Sequence, residues 1–264
     1  MRGGIAASHA HIFPDAEYPG TVERLRRLSA ACGIGTVVCF APFPYQMRGR
    51  GIDGNRWLHE RIRDETGLAG FGTVDFERPD LRGQVGEVAA LGFLGIKLHP
   101  AAQRFDILSP AAYEVYGAAE ERGLFLSFHT GVHGYRLRHA ALAGFDDIAQ
   151  DFPKLRFSLE HIGGYHFFPE ALAVMANNPG RVFGGLTSVF TPAIHKNWHL
   201  STERMVELIA QAGAEQVIFG LDFPYNLEEE TMAGIDCVQN KLGLTRDQAE
   251  LILGGNLRRV LGLP

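Results

Sequence analysis

Short apolar runs recur along the chain at fairly regular intervals, and a helical pattern follows most of them. Such alternation predicts repeated strand and helix units around a parallel sheet. Several runs are apolar almost throughout, as expected for strands that are covered on both faces. The predicted strands span Gly4–His11, Gly35–Ala41, Leu68–Asp75, Leu94–His99, Leu124–Thr130, Leu155–His161, Arg181–Ser188 and Gln216–Asp222. Eight is the number of strands that closes a (βα)8 barrel.

Capping residues and glycines mark the helix boundaries between these strands. Ser109-Pro110 places a capping hydroxyl before a proline at the first helical position, and Gly123 follows the predicted helix end. The other predicted helices run from Thr21 to Gly33, from Asn55 to near Gly67, from Ser201 to Gly213, over Glu228–Leu242 and over Thr245–Leu261. Because no linker or composition break interrupts the pattern, we expect residues 1–264 to form one α/β domain, a single TIM barrel.

Composition narrows the possible functions. The chain has 264 residues, is 46% hydrophobic and carries a net charge of −5, so it is long enough to bury one large core. Its mild acidity and the lack of a basic stripe argue against nucleic acid as a partner. No apolar run reaches membrane-spanning length, and the three cysteines have neither metal-finger nor redox spacing. We therefore expect a cytoplasmic protein that binds neither nucleic acid nor membrane.

Two histidines lie one residue apart at the end of the first predicted strand. Because successive side chains of a strand point to opposite faces, His9 and His11 share a face. Neutral imidazole is a good ligand for zinc and related ions. In a chain with eleven histidines such a pair often occurs by chance, so the motif needs support from the rest of the sequence.

Ionisable residues also end four other predicted strands, each within an otherwise apolar sequence. Lys97 and His99 end the fourth strand, His129 the fifth, His161 the sixth and Asp222 the eighth. In (βα)8 barrels, catalytic residues come from the C-terminal ends of several strands. A hydrogen-bonded core histidine explains any one of these residues, but not the whole set at one mouth. Histidines and a carboxylate are the ligands of catalytic zinc sites that keep a position for water.

Several of these motifs together resemble the amidohydrolase superfamily. The resemblance rests on His9-Ala10-His11, on Gly95–Pro100 and on the histidines of the fifth and sixth strands. The segments Phe219–Pro224 and Ile252–Leu261 are similar to its amidohydrolase-2 branch, which contains aminocarboxymuconate-semialdehyde decarboxylase and related hydrolases and lactonases. This chain departs from the family pattern at Ser8, where an acidic residue commonly stands, and at Leu221, where serine is frequent.

The resemblance implies a set of site residues. His9, His11, His129 and Asp222 would hold one divalent metal ion, with zinc expected and manganese as the alternative. His161 would be the acid or base that orients the attacking water or binds the substrate. Asp222 would bind the metal and also take the proton from the water.

Lys97 allows two interpretations. In two-metal amidohydrolases a carboxylated lysine of the fourth strand bridges the ions, whereas the branch that this chain resembles usually holds one metal. We therefore expect Lys97 to bind a substrate carboxylate, and His99, which points the same way, to line the pocket. The alternative for His99 is a histidine that is tied into the turn before Pro100.

The expected activity is hydrolysis of a small ester, lactone or amide, carboxylated or aromatic, by a metal-activated water. A non-oxidative decarboxylase on the same scaffold is the first alternative, because the family contains both chemistries. A metal-free barrel that only binds a ligand or a protein is the second. A small molecule is the expected partner, and a homodimer is compatible with the family.

Overall fold

Eight parallel strands close into a barrel, as the sequence predicts. The computed structural model describes residues 4–14, 20–140 and 142–264. Each strand pairs in parallel with the next, and the last pairs with the first. The strands are β1 (Ile5–His11), β2 (Ile34–Phe40), β3 (Leu68–Gly72), β4 (Gly95–Leu98), β5 (Phe125–His129), β6 (Phe157–Glu160), β7 (Val182–Leu186) and β8 (Val217–Phe223). All eight predicted strands are confirmed, and their ends differ from the prediction by at most three residues.

Helices lie between the strands and cover the outside of the barrel. They are α1 (Val22–Ala31), α2 (Pro44–Met47), α3 (Gly54–Ile62), α4 (Leu81–Ala90), α5 (Pro100–Gln103), α6 (Pro110–Arg122), α7 (Gly144–Asp151), α8 (Gly164–Asn177), α9 (Thr202–Ala212), α10 (Glu228–Asp236), α11 (Arg246–Glu250) and α12 (Asn256–Leu261). Side chains of Thr21, Ser109 and Ser201 cap α1, α6 and α9, as predicted. No helix of the described residues has the length and apolar character needed to cross a membrane.

The two predicted C-terminal helices are interrupted. The first is α-helical only to Asp236 and continues as a π-helical segment over Cys237–Lys241. The second contains another π-helical segment that ends at Gly255. A Cβ at Gly254 would lie 2.7 Å from the backbone nitrogen of Ala6. The helical path is therefore broken where the chain packs directly against β1, which the local sequence pattern does not reveal.

The apolar core consists of two clusters. One lies between the strands and the surrounding helices, and the other lies inside the barrel. The inner cluster comprises Ala6, Val38, Phe40, Phe71, Phe125, Phe183 and Ile218 of the strands with Leu257 and Val260 of α12. Helix α12 thus fills the end of the barrel at which the strands begin. Phe40 contacts the rings of His9 and His11, with centroids 4.9 and 5.4 Å apart. The ionisable residues that end the strands lie at the opposite end of the barrel.

A buried amide attaches helix α12 to the barrel, and we expect its removal to reduce the stability of the protein. Asn256 Nδ2 donates to the backbone oxygens of Ala214 and Val217 at 2.7 and 2.8 Å. Asn256→Ala leaves both buried carbonyls without this donor, so the free energy of unfolding should fall by about 2–3 kcal/mol in urea titrations. Asn240→Ala, which removes an exposed contact with Asp236, is the control and should change it by less than about 0.5 kcal/mol. Equal stability of the two variants would contradict this account.

Candidate metal centre

Three of the four predicted metal ligands lie together where the strands end. Ligand atoms of His9, His11 and Asp222 lie within 4.8 Å of one another. His9 Nε2 is 3.3 Å from Asp222 Oδ1, and His11 Nε2 is 3.8 Å from the same oxygen. Strands β1 and β8, which are neighbours only because the barrel closes, thus bring two imidazoles to one carboxylate oxygen.

The ring of His9 has a defined tautomer. Its Nδ1 lies 2.9 Å from Glu160 Oε2, and because an ionised carboxylate only accepts, Nδ1 carries the proton. Burial, and then the charge of Lys97, lowers the pKa of His9 well below its usual value, so the ring is neutral. The Nε2 lone pair therefore faces Asp222 Oδ1 with no proton between them. Two such atoms repel each other at 3.3 Å unless a cation lies between them.

A chain of hydrogen bonds holds the other oxygen of Asp222. Ser188 Oγ donates to Asp222 Oδ2, and Asn226 Nδ2 donates to Ser188 Oγ at 3.0 Å. Asn226 Oδ1 accepts in turn from His195 Nε2 at 2.7 Å. Burial raises the pKa of Asp222 to about 6, although the Ser188 hydrogen bond and the charge of Lys97 oppose this shift. At neutral pH the group is mostly ionised, yet it can take up a proton easily.

His129, the fourth predicted ligand, lies beside His161 and outside the group of three. His161 Nδ1 is 2.7 Å from the backbone oxygen of Thr187, so Nδ1 carries the proton and Nε2 accepts. Nδ1 of His129 lies 3.2 Å from this Nε2 and donates to it. Burial lowers the pKa of both rings well below the usual value, so both are neutral. His129 Nε2 is then a buried lone pair without a hydrogen-bond partner, which fits a metal ligand.

His99, His129 and His133 form a second group whose ligand atoms lie within 4.8 Å of one another. The rings of His99 and His129 are stacked, with centroids 3.9 Å apart and planes inclined by 16°. Imidazole nitrogens bind metals in the ring plane, so nearly parallel stacked rings cannot direct both lone pairs at one ion. His99 Nδ1 also accepts the Ala102 N–H at 3.4 Å at the start of α5, which is the turn contact considered from the sequence.

Lys97 is buried at the same end of the barrel. Its Nζ lies 5.0 Å from the centre of the Phe40 ring and has no hydrogen-bond partner among the described residues. Burial lowers the pKa of Lys97 to about 8, while the negative charges of Glu160 and Asp222 oppose this shift. A buried ammonium without a hydrogen-bonding partner is destabilising, so an anionic group that enters the site would be bound favourably.

The backbone at this site is strained. Within the described residues, seven non-glycine residues have a positive φ, and four of them are His9, His161, Ser188 and Asp222. Their φ values are 71°, 62°, 53° and 58°. Such conformations cost about 1–3 kcal/mol each and concentrate at functional sites. The backbone therefore indicates the same location as the ligand geometry.

Aromatic rings surround the histidines. Trp198 stacks on His161 with centroids 4.4 Å apart. Phe43 and Tyr225 lie against His11, at 6.3 and 6.0 Å between centroids. The opening thus has planar apolar walls, which suit a flat or apolar ligand.

The sequence analysis assigned no role to Glu160, Ser188 or Asn226. A signal existed for Glu160, because a carboxylate within an apolar strand needs a buried partner in the same way as His161 does. Ser188 and Asn226 carry no such signal, since small polar residues are common after strand ends. Their function depends on Asp222, which is separated from Ser188 by 34 positions.

Comparisons with known proteins agree with this architecture. A family model described as Amidohydrolase matches residues 10–263. An uncharacterised TIM-barrel protein from Bordetella bronchiseptica is similar with a TM-score of 0.77 and 17% identity, over 98% of both chains. A dihydroxybenzoic acid decarboxylase from Polaromonas, solved with bound manganese and 2-nitroresorcinol, has a TM-score of 0.71 and 14% identity, over 98% of this chain and 97% of the other. A putative 2-pyrone-4,6-dicarboxylic acid hydrolase from Pseudomonas putida has a TM-score of 0.69 and 20% identity, with the same coverage.

The isolated ammonium of Lys97 predicts a variant that is more stable than the wild type. Lys97→Met keeps a side chain of similar shape without the buried charge, so the free energy of unfolding of metal-free protein should rise by about 1–3 kcal/mol at pH 7. The gain should shrink as the pH rises above about 8, where Lys97 is neutral in the folded state but still protonated in the unfolded chain.

The control for this measurement is Lys196→Met, which replaces an exposed lysine. It should change the free energy of unfolding in urea by less than about 0.5 kcal/mol. A Lys97→Met protein less stable than the wild type at pH 7 would show that the ammonium has a stabilising partner.

Proposed function

This chain belongs to the amidohydrolase family that matches residues 10–263, and from that premise we propose that it is a metal-dependent hydrolase of small carboxylated or aromatic esters, lactones or amides. The family supports a metal-dependent enzyme, and the proposal adds the reaction and the residues. The observation that carries it is the distance of 3.3 Å between two buried ligand atoms, His9 Nε2 and Asp222 Oδ1.

We assign the metal ion to His9, His11 and Asp222, with His129 as the fourth ligand. The Nε2 of His129, which has no hydrogen-bond partner among the described residues, supports this assignment, because it is buried beside His161, whose ring centroid lies 5.3 Å from that of His9. When bound, the ion would supply Lewis-acid activation of a water molecule and of a carbonyl oxygen. Zinc is the ion that this donor set of imidazoles and one carboxylate suits best, and manganese is the alternative.

Two residues would move the protons. Asp222 would accept the proton of the attacking water at its carboxylate, which is ionised near neutrality. His161 has its Nδ1–H committed to the Thr187 carbonyl, so it exchanges protons at Nε2. It would take over at Nε2 the proton that Asp222 has accepted from the water and pass it to the leaving group, which requires that its contact with His129 Nδ1 is broken.

The surroundings support a substrate with an anionic group and a planar part. Lys97 offers a buried ammonium to a carboxylate, and Trp198 offers a ring face beside His161. His99 lines the opening, and its ring contacts Tyr135 at 5.7 Å between centroids. Tyr135 and Arg104 also line a cleft of about 170 Å³.

Metal removal tests the proposal directly. Metal-free protein should bind one zinc ion per chain in equilibrium dialysis, and turnover of a substrate found by screening lactones, esters and aromatic carboxylic acids should require zinc or manganese. A double variant, His9→Gln with His11→Gln, should bind no zinc, because two of the three clustered ligands are lost. His166→Gln, an exposed change on α8, is the control and should bind like the wild type. Full turnover without metal would contradict the proposal.

A non-oxidative decarboxylase is the second candidate, and one observation favours it. This observation is the buried ammonium of Lys97 beside Asp222, because Asp222 would deliver a proton to the ring carbon as carbon dioxide leaves. Lys97 would hold the departing carboxylate in an apolar environment. The name of the similar Polaromonas protein is consistent with this chemistry.

Product analysis separates the two reactions. Hydrolysis of an ester or lactone in water enriched with heavy oxygen should place one labelled oxygen in the product acid and release no carbon dioxide. Decarboxylation should release one carbon dioxide per turnover and incorporate no label. We expect the first result, and the second would replace hydrolysis by decarboxylation as the function of the same site.

A further inference from the structure

A second buried carboxylate, Glu160, adjoins the candidate metal ligands and has no part in the chemistry proposed above. Its oxygen Oε2 accepts from His9 Nδ1 at 2.9 Å and from Thr187 Oγ1 at 2.8 Å. Its oxygen Oε1 accepts from Ser158 Oγ at 2.6 Å and from Ser127 Oγ at 3.1 Å. Donors from β1, β5, β6 and the segment after β7 thus converge on one side chain that is only 1% exposed.

These contacts are what an ionised, buried carboxylate requires. Each of the four neighbours donates, and each carboxylate oxygen accepts twice, so the charge is fully hydrogen-bonded. Strands β7 and β8 leave room for these side chains, because each has a glycine that faces them. A Cβ at Gly185 on β7 would lie 2.3 Å from Glu160 Oε2, and a Cβ at Gly220 on β8 would lie 2.1 Å from Thr187 Oγ1. Four residues therefore donate to the Glu160 carboxylate, and two glycines leave room for this group.

The same group of residues fixes the orientation of two histidines. Thr187 donates its hydroxyl to Glu160, while its backbone oxygen accepts from His161 Nδ1 at 2.7 Å. Glu160 accepts from His9 Nδ1, which leaves His9 Nε2 without a proton. In the opposite tautomer of His9, Nδ1 would present a lone pair to a carboxylate oxygen, which is repulsive. The tautomer that can bind a metal at Nε2 is thus the one that Glu160 selects.

We propose that Glu160 is the positioning residue of the metal centre, holding His9 in the tautomer and orientation that direct Nε2 at the ion. The inference rests on the function proposed above, because it requires a cation at His9. Glu160 contributes no ligand atom and acts through the imidazole. Carboxylates that accept from a ligating histidine fix its tautomer and increase its basicity.

Zinc affinity tests this role without reference to turnover. Glu160→Gln keeps the size of the side chain but removes the charge and places an amide N–H₂ group among donors. The zinc affinity of metal-free protein, measured by competition with a chromophoric chelator, should fall 10–100-fold. Glu120→Gln is the matched control, because Glu120 accepts backbone N–H groups of Lys154 and Leu155 at a half-buried position on α6. It should retain the wild-type affinity, and circular dichroism should show both variants folded.

The tautomer itself is a second readout, which a merely structural role would not change. Nitrogen NMR of histidine-labelled, metal-free wild type should show His9 with its proton on Nδ1, the signal being assigned by its loss in His9→Gln. In Glu160→Gln the Nδ1–H fraction should decrease. Because the first measurement uses the wild type, it holds even if the variant fails to fold. A wild-type His9 protonated on Nε2 would overturn the inference, and so would unchanged zinc affinity in folded Glu160→Gln.

Failure of the proposed function gives a different result. A wild type that binds no zinc would remove the metal centre and, with it, this role of Glu160. A wild type that binds zinc no more tightly than Glu160→Gln would remove only the role of Glu160 and leave the metal centre in place.

Discussion

The contact between His9 Nε2 and Asp222 Oδ1 is the constraint on which the rest of the site depends. Both atoms are buried, both carry lone pairs, and they lie 3.3 Å apart with no proton to share. The Nε2 atom of a second imidazole, His11, is 3.8 Å from the same oxygen. Ligand atoms converge in this way in proteins when a cation neutralises their repulsion. Electrostatics therefore favours a metal ion here, as family membership does.

The fold maintains this unfavourable arrangement by controlling orientation on both sides. On one side Glu160 holds His9 by its Nδ1, and on the other Ser188 holds Asp222 by Oδ2. Each of these hydrogen bonds orients the side chain so that its other atom, His9 Nε2 or Asp222 Oδ1, points to the proposed position of the ion. The positive φ values of His9, Ser188 and Asp222 show that the backbone is also held in conformations that it would not adopt alone. Such strain persists only when surrounding contacts determine the structure, as the closed barrel does here.

The site thus concentrates features that reduce stability. Lys97 has a buried ammonium without a hydrogen bond, and His129 Nε2 is a buried lone pair without a partner. Both lie beside the metal group, and both would gain a partner when the ion and an anionic substrate bind. The rest of the barrel compensates through its two apolar clusters and through buried contacts such as those of Asn256. Stability and binding are consequently supplied by opposite ends of the same barrel.

The sequence by itself determined the architecture, because apolar runs of strand length with capped helices between them allow few arrangements other than a parallel barrel. It also predicted that His9, His11 and Asp222 lie at one mouth of the barrel, since the ends of its parallel strands meet there. Only the tertiary structure separated His129 from these three and paired it with His161. Only the closed barrel brought donors from β1, β5 and β6 and from the segment after β7 to Glu160, and Ser188 to Asp222. The physical reason is that a local pattern specifies which face a side chain occupies, whereas hydrogen-bond partners and tautomers depend on distances between strands that are remote in the chain.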